Sequence, residues 1–332
     1  MKCPSCGKSC IQDAADLIAD LDRLYMACPD CCPEPNLDKR APFNSLRGDM
    51  QPCPSCKKAP LDLVMVDIMK VLVETGLRDA RSPLRSVGTP LVETGYPLAY
   101  PPRIGPRELI IASENLTRPA AEAIMERVPQ VKGVILSRGV PGVVRARDCP
   151  VSWELLAGCD MRRDIIASIF GELVIYKSQS KIHIEFPRQG LTKVAILERL
   201  YLQKGPDSVV DGMCGPGTLG LTCVLAGARR VVLNDIWLPA IESVLLNLEA
   251  NRTLLGIEKI EHLEMPGSDV GSEPVLVARA SGPCQIEVYH GDLTRLFTRA
   301  QPAGLCLIDH FPGQNTDELE KACKSCREVV II

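Results

Sequence analysis

The chain has 332 residues, of which 46% are hydrophobic and 24% charged, with a formal net charge of −3. That length leaves room for two or three domains, and the balance excludes a disordered or low-complexity chain and a protein that binds polyelectrolytes through bulk charge. No uninterrupted apolar run approaches a membrane span, and a Cys-rich start stands where a secretory signal would carry its apolar core, so a cytoplasmic protein with no membrane partner is expected.

Eight of the 16 cysteines fall within the first 56 residues. Three pairs, Cys3/Cys6, Cys28/Cys31 and Cys53/Cys56, have C-x-x-C spacing, with Cys10 and Cys32 beside them. In a reducing compartment such pairs point to metal ligation before disulfides, and zinc is the expected ion. All eight cysteines would serve two tetrahedral ions, whereas Cys3, Cys6, Cys28 and Cys31 alone would serve one; the spacing does not choose. Cys3-Cys6-Cys10 is also the reverse of the C-x-x-x-C-x-x-C spacing of radical iron–sulfur enzymes, which keeps a cluster as the lesser alternative. Between and after the pairs, Ile11, Ala14, Leu17, Ile18, Leu21 and Tyr25, then Leu61, Val64, Met65, Ile68 and Leu72, recur at helical spacing. Residues 1–75 therefore read as a zinc-ribbon-like region whose helices pack around the metal.

Residues 76–107 read as a Pro-rich connector, stiffened by "YPLAYPPRIGP". Residues 108–170 read as a small α+β middle domain: strand "ELIIA", helix "RPAAEAIMERV", strand "GVILS". Residues 131–199 carry 11 basic against 7 acidic groups, and Arg138, Arg145 and Arg147 form a candidate phosphate-contacting strip. A hairpin, "GELVIYKSQSKIHIEF", opens the last domain, 171–332. From "LTKVAILERLY" onward strand and helix alternate down to "EVVII", which predicts an α/β, doubly wound and mainly parallel sheet with ligands outside the carboxyl ends of its strands.

Within that domain "DGMCGPGTLG" holds a G-x-G-x-x-G at Gly215, Gly217 and Gly220. In dinucleotide folds the loop and helix N-terminus receive a pyrophosphate. Here Asp211 puts a carboxylate at the strand end and Pro216 deletes a backbone donor. A ligand carrying an ammonium and no phosphate suits this turn better.

These residues resemble motif I of the class I S-adenosylmethionine-dependent methyltransferases, in its D-x-x-x-G-x-G form, and the resemblance continues for about 130 residues. It implies a Rossmann-like methyltransferase sheet with S-adenosylmethionine as cofactor. Asp211, Gly212, Gly215 and Gly217 would form the cofactor turn. Asp235 of "LND" would accept hydrogen bonds from the ribose, Ile236 and Trp237 would flank the adenine, and Asp292 of "HGD" would receive the adenine amino group. "LIDHFPG" occupies the place of motif IV, so Asp309, His310, Phe311 and Pro312 would surround the acceptor, with Asp309 or His310 as base. The lead-in "KIHIEFPRQGLTKVAILERLY" is similar to the entrance of archaeal and eukaryotic tRNA guanine-N1 methyltransferases, which implies a tRNA or rRNA base as substrate.

D-H-F-P-G departs from the N-x-P and D-P-P-Y forms that accompany nitrogen methylation. A protein substrate methylated on a cysteine thiolate is therefore a second expectation. A zinc-dependent binding module is a third, and an oxidoreductase a fourth. The family usually adds two strands after the fifth, whereas this sequence ends at "EVVII"; a partner, another subunit, the segment 108–140 or the hairpin at 172–186 is expected at the sheet edge.

Overall fold

The computed structural model describes residues 2–46, 51–139, 153–183, 192–263, 273–310 and 315–332. The chain forms two compact units, one of Met1–Cys10, Ala19–Arg162 and Ser178–His183, the other of Ile11–Ile18, Arg163–Lys177 and Ile184–Ile332. Helix α1 (Ala14–Ala19) is short and gives way to a 3-10 turn at Leu21–Arg23, where the apolar spacing predicts one helical face from Ile11 to Tyr25. The break falls at Asp20, a residue type that forms helix interiors poorly because its side chain competes for backbone donors.

In the first unit, α2 (Leu61–Glu74) buries Val64, Ile68 and Leu72 as its spacing requires, and Met69 and Val71 as well. It packs against α3 (Arg118–Arg127) within the unit's core, a different setting from the expected wrapping around metal sites. Strands β1 (Thr89–Val92), β2 (Leu109–Ser113), β3 (Val131–Leu136) and β4 (Glu154–Gly158) form a sheet in that order. The β2–α3–β3 crossover gives the parallel pair, and β1 and β4 flank it antiparallel. The Pro-rich 76–107 segment therefore contributes β1 to this sheet instead of running as a bare connector.

The hairpin of β5 (Met161–Ser168) and β6 (Gly171–Ser178) follows, then α4 (Thr192–Lys204). The second unit is then built from β7 (Ser208–Asp211), α5 (Thr218–Leu225), β8 (Arg230–Asp235), α6 (Leu238–Ala250), β9 (Lys259–His262), β10 (Val275–Ser281), β11 (Gln285–His290), β12 (Leu305–Ile308), α7 (Asp317–Ala322) and β13 (Glu328–Ile331). The strand order is β9-β10-β11-β8-β7-β12-β13. Five strands, from β11 to β13, are parallel, and β9 and β10 add an antiparallel edge.

Alternation along each central strand assigns its two faces. Val209, Val231, Leu233, Val288 and Leu307 meet the α5–α6 side, in a cluster with Leu221, Ile241 and Val244. Val210, Val232, Cys306 and Ile308 meet the opposite layer with Leu293, Leu296 and Cys323. This is the doubly wound, mainly parallel Rossmann-like sheet that the alternation predicts. Strands β9 and β10 were not expected. "KIEH" is mostly exposed and carries almost no apolar signal, as befits an edge strand packed on one side at most. At the other edge β13 is outermost among the described residues; the 108–140 segment supplies β2 and β3 to the first unit's sheet, and the 172–186 segment supplies β6 to a separate three-stranded one.

Two amides of α6 finish the hairpin. Asn251 exchanges hydrogen bonds with the backbone of Val174 (3.0 and 2.7 Å), and Asn247 does the same with Tyr176 (2.7 and 3.0 Å) while also donating to the Pro216 carbonyl (2.9 Å). Among the described residues no helix is long and apolar enough to cross a membrane.

Candidate functional site

The order in which successive strands are added reverses between the parallel neighbours β7 and β12, so the crevice at their carboxyl ends is the topological switch point where such sheets bind ligands. Asp211 ends β7, Asp235 ends β8, and Asp309 follows β12. Between β7 and α5 the chain turns through Gly215 and Gly217, both left-handed (φ +52° and +92°), and Gly220 lies so close to β8 that a Cβ there would stand 2.1 Å from Leu233 Cδ2.

The amide donors of all three glycines are used within the turn. Gly215 N–H donates to Asp235 Oδ2, Gly217 N–H to the Cys214 carbonyl and Gly220 N–H to Asp211 Oδ2, each at 2.8 Å. Asn234 Nδ2 ties the turn after β7 to the one after β11 by donating to the Gly212 and Gly291 carbonyls (3.0 and 3.1 Å). A pyrophosphate would meet carboxylates here, with no glycine amide left to receive it.

Asp211 is wholly buried, and its Oδ1 has no hydrogen-bond partner. Burial first, and then the charge of Asp309, push its carboxyl up to about 8. Asp235 also accepts from Trp237 N–H (2.8 Å); burial lifts it to about 6 against the hydrogen bonds that favour its charge. Ile236, next along, is 51% exposed, an apolar platform beside a polar turn. Asp309 forms an ion pair with Lys193 of α4 (2.7 Å). His310 Nδ1 lies 3.2 Å from the Ile332 carbonyl, an acceptor only, so Nδ1 is the donor of that contact. Asp292 caps a 3-10 turn, accepting from Thr294 N–H (2.8 Å).

The fold thus brings Asp211, Gly215, Asp235 and Asp309 into one electrostatically linked group. Phe311 and Pro312 lie outside the described residues, as do Arg145 and Arg147. Lys193 was not anticipated; a lone lysine in an amphipathic helix carries no signal of its partner.

No protein-family model matches the chain, and no curated protein does. Among solved structures, it is similar to Trm1 from Pyrococcus horikoshii in complex with S-adenosyl-L-methionine (24% identity, TM-score 0.38, 49% of this chain and 40% of that one). It is also similar to aTrm5 in complex with tRNALeu (17%, 0.39, 66% and 54%) and to TYW2 from P. horikoshii in complex with MeSAdo (17%, 0.37, 66% and 65%). In each case the chain spans less than two thirds of the matched structure's length. What the second unit itself shows is a doubly wound, mainly parallel α/β sheet with a glycine turn at its switch point.

The cysteines of the first unit fall into two groups of four, each with all sulfurs within 4.8 Å of one another: Cys28, Cys31, Cys53 and Cys56, and Cys3, Cys6, Cys10 and Cys159. In the former the Sγ–Sγ separations are 3.7 Å (Cys28–Cys31), 3.5 Å (Cys28–Cys53) and 3.6 Å (Cys31–Cys56). Four sulfurs about 2.3 Å from one tetrahedral ion stand about 3.8 Å apart, so the group matches a single-ion site. Cys32 is exposed and belongs to neither group. "CPSCGK" and "CPSCKK" fold alike: the N–H four residues after Cys3 or Cys53 donates back to that cysteine's carbonyl (2.8 and 2.9 Å), and the residue there, Gly7 or Lys57, is left-handed. That repeated hexapeptide was the readable sign of two equivalent knuckles.

Proposed function

We propose that the second unit is an S-adenosylmethionine-dependent methyltransferase whose acceptor is a tRNA or rRNA base. The observation that carries this is the glycine turn itself: its amides are spent internally and carboxylates surround it, which suits a cationic ligand and repels a phosphate. Asp211, beneath the turn formed by Gly212, Gly215 and Gly217, favours the ligand's positive charge. Asp235 takes the ribose hydroxyls, Ile236 flanks the adenine and Asp292 receives its amino group.

Bound there, S-adenosylmethionine supplies a methyl group on a sulfonium, open to in-line attack. The ion pair with Lys193 fixes Asp309, which positions an N–H of the acceptor, and His310 Nε2 takes the proton that the acceptor loses. Proximity and exclusion of water would lower the barrier. A neutral base nitrogen fits this end better than a cysteine thiolate, because Asp235 and Asp309 crowd it with carboxylates and the Lys193 charge is already paired with Asp309.

Zinc in the Cys28, Cys31, Cys53 and Cys56 group belongs to the same proposal: four thiolates leave no open position, so the ion is structural. The reading requires a compartment where thiols stay reduced, the cytoplasm. It also includes a partner or second subunit on the outer edge of β13.

Calorimetry with S-adenosylmethionine and with NADH, followed by incubation of labelled cofactor with RNA and protein fractions, tests the whole reading. Label in RNA, with RNA affinity that falls as salt rises and weakens when Arg138, Arg145 and Arg147 become alanine, is expected. Label in protein alone moves the acceptor to a protein side chain; absence of cofactor binding leaves a zinc-dependent binding module, and NADH binding an oxidoreductase.

A further inference from the structure

Cys159 belongs to no cysteine pair in the sequence, yet its Sγ lies 3.6 Å from that of Cys3, 156 positions away, and Cys6 and Cys10 face each other at 3.3 Å within the same group. We propose that Cys3, Cys6, Cys10 and Cys159 hold a second zinc ion, distinct from the one at Cys28–Cys56 and independent of the methyl-transfer reading. The spacing is near the edge length of a tetrathiolate around one ion and too tight for the thiolates of a multi-iron cluster, which bind different metals. Soft, all-sulfur tetrahedral coordination selects zinc among the abundant divalent ions.

The surroundings are built for this arrangement. The backbone of Cys3 makes the same two knuckle hydrogen bonds as that of Cys53. Cys159 reaches the group because residue 133 is glycine: a Cβ there would stand 2.2 Å from the Cys159 carbonyl oxygen. The residue after Cys159 secures the approach, since the buried Asp160 carboxylate accepts from Ser5 Oγ inside the knuckle, from Ser178 Oγ (2.5 Å), and from Ser180 N–H (3.0 Å) and Oγ. This ring of hydrogen bonds joins the two ends of the ligand set much as outer-shell groups orient metal ligands. Binding releases the four thiol protons and changes no oxidation state. With four protein ligands the ion has no open position, so it is a fastener that pins the first ten residues to the turn before β5.

Native mass spectrometry of the full chain, expressed with zinc and kept reduced, decides the matter. Two zinc ions per chain are expected, one in Cys159→Ser, and two in Cys32→Ser, which touches neither group. A single ion in the unaltered protein, two in Cys159→Ser, or a mass short of two hydrogens for each of two disulfides would overturn the proposal. Should Cys159→Ser fail to fold, cobalt replaces zinc in the unaltered chain. Two equivalents with tetrathiolate charge-transfer intensity per ion support the second site, and saturation at one equivalent refutes it.

Discussion

Replacing Asp211 by asparagine keeps the shape of the side chain and an oxygen for Gly220 N–H but removes a charge from a wholly buried position. With its carboxyl lifted from 3.8 to about 8, the folded protein holds this proton over a range where the unfolded chain has released it. Stability from this group is therefore greatest below pH 4, falls as pH rises, and levels out above the folded value. At about 1.4 kcal/mol per pH unit, the full cost of ionising Asp211 in place is on the order of 5 kcal/mol. The asparagine avoids that cost but leaves an amide donor where Oδ1 already lacks a partner, which costs about 1–3 kcal/mol. Asp211→Asn should thus be more stable than the unaltered protein by about 2–4 kcal/mol at pH 9 and less stable at pH 4, the curves crossing between about pH 4.5 and 6. Thermal unfolding followed by Trp237 fluorescence across this range measures it, and parallel pH profiles for the two proteins would refute the reasoning. The same variant should bind S-adenosylmethionine more weakly, since the stability cost of the carboxylate is what the ligand's charge offsets.

Asp235→Ala removes acceptors used by Gly215 and Trp237 and should weaken S-adenosylmethionine by about 1–3 kcal/mol in calorimetry, with unchanged affinity counting against its assignment. Gly220→Ala drives a methyl into Leu233 and should destabilise by about 1–3 kcal/mol in urea, partly recovered when Leu233 is shortened as well. Burial works against the charge of Asp160, but hydrogen bonds from Ser178, Ser180 and Ser5 outweigh it and hold the carboxyl below 3.8. Its contribution is present above that pH and disappears as pH falls through the folded value, so Asp160→Asn should be less stable at pH 7, with the difference shrinking in acid-unfolding curves as pH falls below 3.8.

The alternating sheet was legible because β7, β8, β11 and β12 are apolar runs bounded by turn residues, and the glycine turn was legible because Asp211 and Pro216 argue chemically against a phosphate. What escaped were features defined by a distant partner. Cys159 has no paired cysteine beside it, and Lys193 meets Asp309 only after 116 positions of chain have folded back. Asp292 shows the opposite case: its place after a strand suggests an adenine contact, while the local geometry seen is that of a turn cap. Strands β9 and β10 were hidden because an edge pair needs little apolar surface.

The two asparagines of α6 read main chain, not side chains. Each meets both the donor and the acceptor of one β6 residue, so the hairpin is gripped by its register, whatever side chains Val174 and Tyr176 carry. Sliding β6 by one residue would turn Leu173 and Ile175 away from the core and leave both amides facing the wrong peptide groups. Because Asn247 also holds the Pro216 carbonyl, that register is shared with the glycine turn, making α6 a ruler that sets the hairpin and that turn to the same mark.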